Sequence, residues 1–197
     1  MSAGSYSQDW DELLARVKNE DTSAYVDTLS FIRQHKLRRP DIEMVCGSNV
    51  VLRNSQDAEY WTVVEQTFIA ALHMGDSAWA DYCFKILHEQ FPDSVRVQRL
   101  AGMFQEAACD YEQARDCYNN ILEEKPEDMQ ARKRIVACYK AQGRFNETID
   151  QMNKYLDIFS TDTDMFEKSQ KSKIAFLQLV KNQAFRGQCP HAKPGTF

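Results

Sequence analysis

The feature that most constrains this chain is a proline that returns after 34 residues: Pro92 in Gln90-Phe91-Pro92-Asp93, and Pro126 in Glu124-Lys125-Pro126-Glu127. Proline has no amide hydrogen to donate and its ring collides with the preceding turn, so each one ends a helix. Between them stand the small residues Gly102 and Ala114, where two helices must approach closely, and Tyr111, Tyr118 and Leu122, which fill the space between helices. A hairpin of two helices cannot bury its whole apolar face alone. A fixed period of this length therefore predicts hairpins stacked on one another.

Neighbouring stretches keep the same register. Residues 129–162 retain Tyr139, Gly143, Phe145 and Leu156, with Thr148 in place of the small residue and Ser160 in place of the proline. Residues 61–94 retain Gly75, Ala80, Phe84, Leu87 and Pro92, with Phe68 where the early small residue would stand. The three units 61–94, 95–128 and 129–162 resemble tetratricopeptide (TPR) repeats. The expected fold is all-α, a right-handed α-solenoid of TPR helical hairpins behind a helical N-terminal cap. The repeat-packing residues are Gly102, Tyr111, Ala114, Tyr118, Pro126, Tyr139, Gly143 and Phe145.

Three repeats are about the minimum for an independent solenoid, so residues 1–58 are expected to cap it. Trp10, Leu13, Leu14 and Val17 recur at helical spacing, with Ser7 or Asp9 as the starting cap. Residues 24–36 carry Tyr25, Leu29 and Ile32 in a similar stripe. Pro40 breaks the chain, and residues 42–52 form one more helix, weakened by Gly47. A polar loop, 53–57, then leads into the repeat region, 59–164. The remaining residues, 165–197, carry six Lys or Arg and one acid, whereas the preceding 164 carry 18 against 28. This switch marks a divergent basic tail, expected to be partly disordered. Residues 168–186 read either as a basic amphipathic helix or as an extension without structure, the second being preferred, and 187–197 as unstructured. On that reading the helix around Tyr155–Phe159 is poorly covered.

The net charge of -5 gives no reason to expect nucleic acid as a partner. The N-terminus lacks a basic and an apolar region, so no secretory signal is expected. No stretch reaches the roughly 18–20 apolar residues of a membrane span. Cys46, Cys83, Cys109, Cys117, Cys138 and Cys189 show no Cys-x-x-Cys spacing and no zinc-finger histidine, so they read as free thiols in a reducing compartment. His35, His73, His88 and His191 have no nucleophile or carboxylate arranged around them, and no phosphate loop or metallohydrolase motif is present. No enzyme, cofactor, metal or small-molecule substrate is expected.

One face of each first helix in such a repeat lines a concave groove, at positions 2, 5, 9 and 12. Here these are Arg96, Arg99, Met103 and Glu106, then Gln130, Lys133, Ala137 and Lys140. Arg96, Arg99, Met103, Lys133 and Lys140 are the candidate partner-binding residues. They read either as a basic groove for an acidic or extended segment or as a solvated helix face. TPR cofactors that clamp the C-terminal carboxylate of a heat-shock protein carry Lys and Asn at positions 5 and 9 of the first repeat. Glu65 and Ile69 stand there, which disfavours that role.

A more specific resemblance rests on Tyr60-Trp61, Ala70-Ala71-Leu72, Gln90-Phe91-Pro92, Val97 to Met103, Ile121-Leu122-Glu123, Ala131-Arg132-Lys133-Arg134 and Lys140-Ala141-Gln142-Gly143. These stretches resemble subunit 2 of the endoplasmic-reticulum membrane protein complex, over about residues 10–164. The resemblance implies a non-catalytic scaffold, cytoplasmic and peripheral on the cytosolic face of that membrane, with the other subunits as partners. It further implies support for inserting transmembrane proteins, including tail-anchored ones. Family members continue with further repeats beyond the position of Asp164, so the tail reads as an alternative C-terminus. The alternative function is a free-standing cytosolic TPR adaptor that holds an acidic or extended peptide in its groove.

Overall fold

The computed structural model describes residues 3–53 and 59–186, with side chains over 8–53 and 59–178. Among these residues there are ten α-helices and no strand. The helices are α1 (Ala3–Lys18), α2 (Thr22–His35), α3 (Pro40–Leu52), α4 (Tyr60–Met74), α5 (Ser77–Gln90), α6 (Val95–Ala107), α7 (Tyr111–Glu124), α8 (Met129–Ala141), α9 (Phe145–Ile158) and α10 (Thr163–Arg186). The chain divides into two compact units, Met1–Ala108 with α1 to α6 and Cys109–Phe197 with α7 to α10. Within each unit, helices consecutive in sequence pack on one another, the hairpin stacking of a TPR-like fold.

The repeat period is written into the helix ends. Asp76 caps α5 by accepting from the Trp79 amide at 3.1 Å, and Asp110, one period later, caps α7 by accepting from Gln113 at 3.1 Å. Asp128 and Asp162 form a second such pair, accepting from the Ala131 and Met165 amides at 2.8 and 2.9 Å. Each side chain satisfies a backbone donor that the helix itself leaves unpaired. Between the helices of a hairpin the chain turns through left-handed backbone at Gly75 (φ 73°), Cys109 (φ 60°) and Gly143 (φ 70°), again one period apart. Glycine takes that conformation without a Cβ clash; Cys109 does not.

In the first unit, Leu29, Ile32, Val63, Val64, Phe68 and Ala71 are essentially inaccessible to solvent. Burying each of the larger ones contributes about 1.5–3 kcal/mol. Phe68, which stands where the repeat usually has a small residue, is accommodated by an aromatic cluster with Phe84 and Phe104, at centroid distances of 6.1 and 6.5 Å. The sequence reading needs three corrections here. Helix α1 starts at Ala3, so Ser7 and Asp9 lie inside it and not at its start. Pro40 opens α3 at its first turn, where its missing N–H is no loss. Gly47 is not a weak point but the contact between α3 and α4: a Cβ there would overlap the Thr67 hydroxyl and lie 3.0 Å from Thr67 Cβ. Of the expected loop 53–57, residues 54–57 lie outside the described residues.

In the second unit, Ala114, Tyr118, Ile121 and Ala131 are fully buried, and Met165 of α10 packs with Val136, Met152 and Tyr155. That contact covers the end of α9, which the sequence left exposed. The structure also corrects the preference for an unstructured 168–186: this stretch continues α10, because Met165, Ser169 and the half-buried Phe176 give the helix an inner stripe to bury. Residues 187–197 lie outside the described residues.

Candidate partner-binding site

The first unit carries a groove of about 270 Å³. It is lined by Ile32, Leu37 and Ile69 together with Arg33, Lys36, Arg96, Glu43 and Glu65. Glu65 and Ile69 are one helical turn apart on α4 and so share a face. Arg96 enters from the first turn of α6, its Nε 2.5 Å from Glu65 Oε2. Arg33 on α2 donates from Nη1 to Gln66 Oε1 at 2.7 Å and pairs through Nη2 with Glu59 Oε2 at 2.9 Å. Gln66 is buried, and its Nε2 donates to Glu43 Oε1 at 2.7 Å, so one amide ties α2, α3 and α4 together. Ion pairs this exposed contribute little, about 0–1 kcal/mol, and a ligand's own charges can replace them at small cost. The groove can therefore take an aliphatic side chain against the half-buried Leu37 and Ile69 and polar or charged groups beside its ion pairs.

Of the groove residues expected on α6, Arg96 is exposed and lines this cavity. Arg99 and Met103 are half-buried, and Met103 packs against the first unit's core. Gly102 is buried on the same helix.

The second unit displays Lys133, Ala137 and Lys140 at spacings of four and three residues on α8, with Ala137 and Lys140 exposed. Lys133 is engaged: its Nζ lies 2.6 Å from Asp162 Oδ2 and 5.4 Å from the centroid of the Tyr155 ring. Tyr155 donates its hydroxyl to the same carboxylate oxygen at 2.6 Å. These bonds, with the Met165 amide, hold the Asp162 carboxyl well below its ordinary range. The Asp162 carboxylate in turn raises Lys133. Burial raises the Tyr155 hydroxyl.

The packing residues of this unit fall into two groups. Ala114 and Tyr118 are buried, whereas Pro126 is exposed between α7 and α8, where its carbonyl accepts from Arg132 Nε at 2.9 Å. Tyr111 and Phe145 are half-buried at the first positions of α7 and α9. Tyr139 lies between two guanidinium groups, Arg115 at 4.5 Å and Arg144 at 4.9 Å from its ring centroid. Arg115 is buried and also pairs with Glu112 and donates to Gln142 Oε1 at 2.7 Å.

Two clusters escaped the sequence reading: Arg33–Gln66–Glu43 and Lys133–Tyr155–Asp162. Arg33 and Glu43 reach Gln66 from 33 and 23 positions away, and Lys133 stands 29 positions before Asp162, so no local pattern links them. Only Asp162, an acid placed directly before a helix, carried a readable sign.

Among the described residues no helix is long and apolar enough to cross a membrane, and no three His, Cys, Asp or Glu side chains are grouped to hold a metal ion. Cys46 and Cys83 are buried, and desolvation pushes their thiols up to about 12, so neither forms a thiolate at neutral pH.

Comparison with known proteins places this arrangement. A thermophilic TPR protein of Thermus thermophilus superposes with a TM-score of 0.54 over 86% of this chain and 99% of its own, at 12% identity, a likeness of fold. ER membrane protein complex subunit 2-A of Xenopus laevis is 34% identical over 144 residues, covering 72% of this chain and 48% of the relative. Subunit 2 of the same complex from Dictyostelium discoideum is 31% identical over 155 residues, covering 77% and 48%. TPR repeat protein oca3 of Schizosaccharomyces pombe is 37% identical over 106 residues, covering 54% and 38%. The chain thus spans about half the length of the curated relatives it matches. The family model described as the EMC2 TPR-like repeat domain matches residues 81–190, past Asp164 and into the basic segment. By that match over more than half its length, and by its hairpin fold, this chain belongs to the EMC2 TPR-like repeat family.

Proposed function

We propose that this chain is a non-catalytic scaffold subunit of the ER membrane protein complex. It sits peripherally on the cytosolic face of that membrane and supports the insertion of transmembrane proteins, including tail-anchored ones. The observation that carries this reading is the family match at residues 81–190, joined to relatives named as subunit 2 of that complex. The surfaces suit a scaffold. The groove of the first unit offers apolar lining beside exchangeable ion pairs, and α8 offers the exposed Lys140. The partners on this reading are the other subunits, held through protein contacts.

The test is recovery of the complex from detergent-solubilised cells by the tagged 197-residue chain, beside a version whose repeats continue past Asp164. Recovery by both supports the reading and puts the binding surface within the shared residues. Recovery by neither overturns it. If only the longer version recovers the complex, the scaffold role belongs to the family and not to this chain.

A second reading, a free-standing adaptor, is favoured by the make-up of the groove, where Arg33, Lys36 and Arg96 surround Ile32, Leu37 and Ile69. It predicts a soluble monomer that binds an acidic peptide alone, and loses it with Arg96→Glu.

A further inference from the structure

We propose that the outward face of α10 docks onto an anionic lipid surface. The helix has two distinct faces. Its inner stripe, Met165, Ser169 and the half-buried Ser172 and Phe176, is turned toward protein, with Met165 against Tyr155, Leu156 and Phe159. On the other side Phe166, Ile174 and Leu177 are each more than half exposed, at 54%, 55% and 58%. At 3.6 residues per turn these three fall within an arc of roughly 80° and run about 17 Å along the axis.

Lysines flank this ridge, Lys173 about 20° outside Phe166 and Lys171 about 60° outside Ile174, while Lys168 lies on the opposite side of the helix. Lys168 and Lys171 are exposed, and Lys173 is half-buried at the edge of the arc. Glu167 is the sole acid after residue 164, against six Lys or Arg, and it is itself bridged to Lys171 at 3.4 Å. The first 164 residues have the opposite balance, so basic charge is concentrated in the segment whose helix also bares large apolar side chains.

That combination fits a lipid surface better than a folded partner. The three apolar side chains form a narrow strip that the exposed Gln170 interrupts, not a knob that fills a cleft, and they need no matching shape to enter the acyl boundary. Lysine stems can lie along the same apolar layer while their ammonium groups reach phosphate. The inference goes beyond the scaffold reading and stands without it, since it requires no other subunit.

The test is co-sedimentation of the purified 197-residue chain with vesicles of phosphatidylcholine alone or mixed with phosphatidylserine. The expected result is binding to the mixed vesicles, at least about tenfold weaker binding to phosphatidylcholine alone, and release as salt rises. Ile174→Glu with Leu177→Glu abolishes binding while the circular dichroism stays that of the parent, because both positions are exposed. Lys171→Gln with Lys173→Gln weakens it about 30-fold, the equivalent of about 1 kcal/mol for each lysine near an anionic leaflet. Absence of binding to the mixed vesicles overturns the proposal, and so does equal binding to both kinds. A dimer that Ile174→Glu with Leu177→Glu dissolves, with no vesicle binding by the parent, also overturns it and assigns the face to a second copy of the chain.

Discussion

Gly47→Ala tests the packing logic of the first unit at its tightest point. In an unconstrained helix interior this change stabilises by about 0.5–1 kcal/mol, since alanine loses less backbone freedom on folding. The site reverses the sign. A Cβ at Gly47 would overlap Thr67 Oγ1 and approach Thr67 Cβ and Cγ2 to 3.0 and 3.1 Å. Thr67 is fully buried, and its hydroxyl donates to the Val63 carbonyl at 2.8 Å, so turning the side chain away abandons that bond. Moving α3 outward by most of an ångström instead loosens its packing on α4, and a gap of that size forfeits a quarter to half of each contact's attraction.

Overpacking of this kind costs about 1–3 kcal/mol. After the helix gain is subtracted, a net loss of about 1.5 kcal/mol remains. With a urea slope of roughly 2 kcal/mol/M, the midpoint followed by circular dichroism falls by about 0.7 M. Thr67→Ala removes the overlapping oxygen but leaves a Cβ in place. The double variant should therefore recover about 1 kcal/mol relative to the sum of the two single changes. A midpoint for Gly47→Ala equal to or above that of the parent refutes the close-approach argument, as does strict additivity.

Three further changes probe the second unit. Asp162→Ala removes the acceptor shared by Lys133, Tyr155 and the Met165 amide and should cost about 1–3 kcal/mol by urea denaturation, whereas Asp162→Asn, still able to cap, should cost about 1 or less. Because the folded-state carboxyl lies below its unfolded value near 4, its contribution is complete above about pH 5 and is lost as pH falls through the folded value. Thermal midpoints of the parent should thus drop more steeply below pH 4 than those of Asp162→Asn, and parallel curves would refute this. Cys109→Gly places glycine in left-handed backbone, as at Gly75 and Gly143, and should raise stability by about 0.5–1 kcal/mol; a lower midpoint counts against a strained Cys109. Ser169→Ala deletes a buried hydroxyl without a partner and should leave the midpoint equal or up to about 1 kcal/mol higher, whereas a clear loss would mean that the hydroxyl is bonded.

How much of this was readable from the sequence depends on how local each determinant is. The hairpins were legible because their signals recur at one period: prolines after second helices, glycines at the turns, small residues at Gly102 and Ala114. The same locality misled at Gly47, where propensity speaks for the residue's own helix and says nothing of Thr67, 20 positions away on another one. It misled again over residues 168–186, where the switch to basic charge suggested an unstructured tail. The inner stripe that folds them is only Met165, Ser169 and Phe176, too sparse to outweigh that composition. Of the candidate site, the repeat register put Arg96 and Lys133 on first helices but gave no sign of Glu65 and Asp162, the partners that engage them from elsewhere in the chain.

The two α8 lysines show why register alone does not define a binding surface. Lys133 and Lys140 stand at two groove positions of one unit, 5 and 12, on the same helix face and carry the same charge. Lys133, however, has its ammonium fixed between Asp162 and the Tyr155 ring, and a partner that took it would have to break a bond to a carboxylate that also caps α10. Lys140 is exposed on the same face. An acidic segment binding here would therefore meet Lys140 first and draw on Lys133 only at the expense of the α9–α10 contact. In a stacked-hairpin protein each first helix both displays residues and supports the next helix, so a basic residue at a groove position can serve binding or stacking. Which one it serves is set by whether another helix or turn supplies an acid, as Asp162 between α9 and α10 does for Lys133 and Glu65 on α4 does for Arg96.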